Sequence, residues 1–92
     1  MNLKYRKKPV TIEAFQLTAD RWEDNRDWPS WLHEAWNSGV FFPDKLPIRI
    51  PTIKTLEGNH IVTLGDFIIQ GVKGELYPCK PDIFYETYED VP

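Results

Sequence analysis

Residues 65–84 read GDFIIQGVKGELYPCKPDIF, and the two apolar runs in this stretch, FIIQG and ELYPC, are separated only by Val72-Lys73-Gly74. A glycine there supplies the positive φ that so tight a connection needs, and strands joined this closely pair antiparallel. Upstream, Leu64-Gly65-Asp66 forms another turn, in which the Asp66 carboxylate can accept hydrogen bonds from its own loop. That turn leads back to a strand at IVT, then through the Glu57-Gly58-Asn59 turn to PIRIPTIKT, and before that to VFF. Short strands separated by such turns predict an antiparallel meander. Downstream, PDIFYETYE is expected to make one short helical turn after Pro81, with Ile83 and Phe84 folding back on the sheet.

The amino-terminal half adds one strand and one helix. In VTIEAF, residues 10–15, Val10, Ile12 and Ala14 fall on one face of a strand and Thr11, Glu13 and Phe15 on the other. Residues 18–30, TADRWEDNRDWPS, read as a charged loop. A helix follows, with Asp27 or a neighbour as its cap, Pro29 in its first turn and Gly39 as its stop. Trp28, Trp31, Leu32, Ala35 and Trp36 recur on one face of it. Core packing is the commoner fate of such a stripe; Trp28 and Trp36, at its ends, are the candidates for an oligomer contact. The predicted fold is α+β, a single domain over residues 1–92, with one helix packed on a bent antiparallel sheet or small open barrel.

Composition narrows the function. Cys79 is the sole cysteine, so no internal disulfide forms, and MNLKYRKKPV has no apolar segment of the kind that a signal peptide carries. These features point to the cytoplasm, and no apolar run approaches the roughly 18 residues that cross a bilayer. The net charge is −3, but Lys4, Arg6, Lys7 and Lys8 crowd the first ten residues while Asp82, Glu86, Glu89 and Asp90 crowd the end. Holding a long nucleic acid takes many cations, which argues against that partner; a local basic cluster suffices for a small phosphorylated ligand. The other reading of the cluster is a solvated terminus.

No reaction is written in the chain. His33, His60 and Cys79 lack metal-ligand spacing, and Cys79 beside Pro78 reads as a small buried hydrophobe. Glu13, Asp66 and Glu75 are carboxylates without a predicted geometry, and GVKG is too short for a phosphate loop. No catalytic residue, metal or cofactor is therefore expected. What remains is a set of cations, Arg6, Lys7, Lys8, Lys73 and Lys80, with Tyr5, Trp22 and Tyr77 near them in sequence. Lysine and arginine pair with phosphate oxygens, and an aromatic face stacks on a nucleobase for roughly 1–3 kcal/mol.

The opening KYRKKPVTIEAFQ (Lys4–Gln16) and the ending GDFIIQGVKGELYPCKPDIFYETYE (Gly65–Glu89) resemble a family of small bacteriophage proteins with a KKPV-IEAFQ-like start and a GD-I-GV-GE-YPCKPDIF-like close. Many members have proline where this chain has Leu64. The resemblance implies a phage-encoded, non-catalytic protein of the host bacterial cytoplasm. Such a protein acts as a sponge for the cyclic nucleotide signals of antiviral defence, such as those of CBASS. It would bind a cyclic oligonucleotide, in a pocket formed between subunits of a homo-oligomer. The alternatives are a protein–protein module that blocks a host factor or acts in phage assembly, and a small hydrolase of the same signal.

Overall fold

The computed structural model describes residues 3–92. Its elements follow the order β1 (Glu13–Gln16), α1 (Ala19–Glu23), a 3-10 turn (Asn25–Asp27), α2 (Ser30–Ser38), β2 (Phe41–Asp44), β3 (Ile50–Thr55), β4 (Gly58–Ile61), β5 (Phe67–Gln70), β6 (Leu76–Cys79) and α3 (Pro81–Thr87). The strands form two three-stranded antiparallel sheets, β1-β5-β6 and β2-β3-β4. The class is α+β, but two sheets replace the expected single bent sheet or open barrel. The meander breaks between β4 and β5 because the chain there is captured by β1. The Leu17 N–H donates to the Asp66 carbonyl at 2.8 Å, and the Gly65 N–H donates to the Leu17 carbonyl at 2.7 Å. The Asp66 carboxylate accepts the Thr63 N–H at 2.9 Å, which closes the turn within its own loop.

The first strand is shorter than the alternation at residues 10–15 predicts. Glu13 lies opposite Gln70, and beyond Gln70 the partner chain bends into the Gly71–Gly74 turn, where the Gly74 N–H donates to the Gly71 carbonyl. Residues 10–12 therefore have no strand to pair with, and alternation alone does not supply one. Residues 3–12 form an arm without regular structure.

The segment read as a loop, residues 18–30, holds α1 and the 3-10 turn. Thr18 caps α1 by accepting the Arg21 N–H, and Asp24 caps the turn by accepting the Arg26 N–H. Single turns like these are marginal by themselves; burial of Trp22 fixes α1 in place. α2 ends where glycine was expected to end it, with Gly39 at φ 83° and its N–H on the Ala35 and Trp36 carbonyls.

Trp31, Leu32 and Ala35 are buried from α2 and join Leu17, Phe41, Ile53, Val62, Ile68 and Leu76 in a core that spans both sheets. Around Phe41, which is fully buried, the rings of Trp28, Trp22 and Trp36 lie at centroid distances of 5.3, 5.6 and 5.8 Å. Trp28 is thus a core residue, and its indole N–H donates to the Arg21 carbonyl at 2.6 Å. It is 7% exposed, and with Trp22 and Trp36 it borders a small hollow of about 340 Å3; Trp36 is half-buried. Among the described residues no helix is long and apolar enough to cross a membrane.

Candidate functional site

Register places Phe15, Ile68 and Pro78 on one face of the β1-β5-β6 sheet, and Ala14, Ile69 and Tyr77 on the other. The first face meets the core, and the second is covered in part by α3. Pro81 opens that helix at a position that needs no N–H partner. Phe84 stacks on Phe67 with centroids 3.8 Å apart, and the hydroxyls of Tyr77 and Tyr88 lie 3.4 Å apart. Ile83, expected to fold back with Phe84, is exposed.

Between α3, β1, the arm and the chain after α3 runs a groove of about 990 Å3. Its aromatic walls are Phe15, Phe67, Phe84, Tyr85 and Tyr88. Its cations are Lys7, Lys8 and Arg21, and its acids Glu89 and Asp90. The Arg21 guanidinium sits 4.8 Å over the Phe15 ring and donates to the Gln16 carbonyl at 2.9 Å. It is held on two sides, whereas Lys7 and Lys8 are exposed.

The structure separates the residues that charge and sequence proximity put together. Lys7 and Lys8 line the groove; Arg6 and Tyr5 lie farther out on the exposed arm. Lys73 is exposed at the β5–β6 hairpin tip, where its backbone N–H donates to the Glu75 carboxylate at 3.2 Å. Trp22 is buried: its indole N–H donates to the Arg49 carbonyl at 3.2 Å, and the Arg49 guanidinium lies 5.2 Å over its ring. What remains of its surface opens on a separate hollow of about 340 Å3, shared with Trp28, Trp36 and Arg49, and not on the groove. Tyr77 is half-buried in β6, and burial first, then its neighbour Tyr88, pushes its pKa up to about 12.

Lys80 has a structural occupation. Its ammonium lies 3.2 Å from both oxygens of the buried Asp66 carboxylate and 3.2 Å from the Thr63 hydroxyl. Lys80→Met should therefore cost about 2 kcal/mol, the range of a hydrogen bond to a charged group. In a domain of this size that lowers Tm by roughly 10 °C. Thermal unfolding followed by circular dichroism checks this; an unchanged Tm would release Lys80 for a ligand.

Sequence reasoning missed Arg21, Phe67, Tyr85 and Tyr88. The available signal was the spacing of Phe84, Tyr85 and Tyr88 after Pro81, which sets Phe84 and Tyr88 on one face of a helix. Arg21 carried no signal while its segment read as a loop. Burial, followed by Asp66 and Asp82, raises the Cys79 thiol pKa, which leaves less thiolate at neutral pH. Among the described residues no three His, Cys, Asp or Glu side chains are grouped to hold a metal ion. No family model, curated protein or solved structure matches the chain.

Proposed function

We propose that the protein is a phage-encoded sponge that binds a cyclic oligonucleotide immune signal in this groove and holds it without altering it. The observation that carries the reading is the meeting of Lys7, Lys8 and Arg21 with Tyr85 and Tyr88 on one groove. Cations take phosphate oxygens and exposed rings take bases. The volume falls at the upper end of small-molecule sites, which run to roughly 1,000 Å3, and so accommodates two nucleotides. Glu89 and Asp90 oppose a bare anion, but their oxygens accept hydrogen bonds from base amino groups and ribose hydroxyls. The ligand is therefore oriented, with phosphates toward the arm. Sequestration needs affinity and copy number, and no bond is made or broken.

The test is to incubate the protein with cyclic di-adenylate or cyclic di-guanylate, remove free nucleotide, denature the protein and analyse what is released. The expected result is stoichiometric recovery of intact ligand. Cleaved product would make the protein a hydrolase, and failure of both nucleotides and their larger cyclic analogues to bind would favour the protein–protein module.

A further inference from the structure

The arm is poorly accommodated by its own chain. Leu3 and Tyr5 are 82% and 90% exposed, and among the described residues, residues 5–12 make no hydrogen bond or ion pair. The groove is lined only from Lys7 onward, so Leu3, Tyr5 and Arg6 lie beyond its lining. The molecule measures 56 × 30 × 23 Å, and its radius of gyration of 14.8 Å exceeds the about 12 Å of a compact chain this long.

The surface that matches the arm is on the same protein. The chain from α3 onward carries Asp82, Glu86, Glu89 and Asp90 with no base, and it exposes Ile83, Tyr85 and Val91. The arm carries Lys4, Arg6, Lys7 and Lys8 with no acid, and it exposes Leu3, Tyr5 and Val10. Four cations interleaved with apolar side chains thus match, in sign and number, four carboxylates interleaved with apolar side chains. Within one chain, Lys7 and Lys8 share the groove with Glu89 and Asp90, yet among the described residues none of these four forms an ion pair.

We infer that the protein is a twofold dimer in which each arm docks on the acidic α3 surface of the other copy. The arrangement is self-complementary, as a twofold interface must be: arm meets α3 and α3 meets arm. Fully extended, residues 3–12 would reach about 35 Å at roughly 3.3–3.6 Å each, longer than either short dimension of the molecule, so an arm lifted from its own groove can lie along a neighbour. The ends of the arm that the groove leaves exposed then gain an apolar and oppositely charged surface. The partner's arm also brings its lysines to the groove, which places the ligand site at the subunit boundary. The dimer itself does not depend on the ligand reading.

Charge exchange tests this with no nucleotide present. One variant reverses the arm (Arg6→Glu, Lys7→Glu, Lys8→Glu) and a second reverses the tail (Glu86→Lys, Glu89→Lys, Asp90→Lys). All six side chains are exposed, so both variants should retain the parental circular dichroism spectrum. In sedimentation at about 50 µM, the parent should run at twice the 10.9 kDa chain mass and each variant alone as a monomer. An equimolar mixture should run as a dimer, because arm and tail are then opposite in sign in both directions. A monomeric parent, a dimeric single variant or a monomeric mixture would each overturn the inference.

Discussion

Phe41→Ala should destabilise the fold by about 4 kcal/mol, in the range measured for truncating a buried phenylalanine. The side chain is fully buried and is the common neighbour of three indoles, all within 5.8 Å. Those rings are tied elsewhere, Trp22 to the Arg49 carbonyl and Trp28 to the Arg21 carbonyl, so they are poorly free to close the cavity. Small domains have about 5–15 kcal/mol in total, so the loss is at least about a quarter of the stability. Phe42, next in the strand and half-buried, should cost about 1–2 kcal/mol by the smaller area that it removes from water. Urea unfolding of both variants measures the difference. Equal losses would mean that the aromatic cluster relaxes, and that Phe41 is no keystone.

Reversing both groove lysines, Lys7→Glu with Lys8→Glu, should weaken the binding of a cyclic dinucleotide more than a hundredfold. Each charge-assisted contact is worth roughly 1.5–3 kcal/mol, and about 1.4 kcal/mol makes a factor of ten. Both attractions are lost and two repulsions replace them. Lys54→Glu, exposed on the other sheet, should change affinity by less than about threefold, since exposed charges beyond a Debye length of about 8 Å are largely screened. The tail-reversed variant separates ligand contact from subunit contact. It loses the dimer, the partner's lysines and the acceptors at residues 89 and 90 but keeps its own Lys7 and Lys8 in the groove, so it should bind more weakly than the parent and more tightly than the lysine variant. Calorimetry reads all three. Near-parental affinity in the lysine variant would return the basic cluster to a solvated terminus and leave Arg21 as the groove cation to test.

What was legible in the sequence was whatever local chemistry dictates. Gly39 stopping α2, the Gly74 hairpin, the Asp66 turn and the Trp31-Leu32-Ala35 stripe all depend on neighbours within a few residues. What was illegible depended on partners distant in sequence. The start of β1 is set by where β5 ends, fifty-odd residues later, and the split into two sheets by Leu17 reaching residues 65 and 66. The same reason divides the site. Lys7 and Lys8 can be found as charges, but nothing near Trp22 in sequence shows that its ring packs beside Phe41. Nothing local to Lys80 shows that it faces Asp66. Tyr85 and Tyr88 matter only because β1 and the arm pass beside them.

The tryptophan cluster also determines how the molecule can be observed. Trp22, Trp28 and Trp31 are buried, Trp36 is half-buried, and none of the four lines the groove. Indole emission should therefore be blue-shifted in the native state and move strongly to the red on unfolding. Filling the groove should change it little, and an experimenter who titrates nucleotide while watching indole fluorescence would record a flat line from a saturated protein. The groove's own chromophores are its two tyrosines, and a reporter of occupancy has to be placed there.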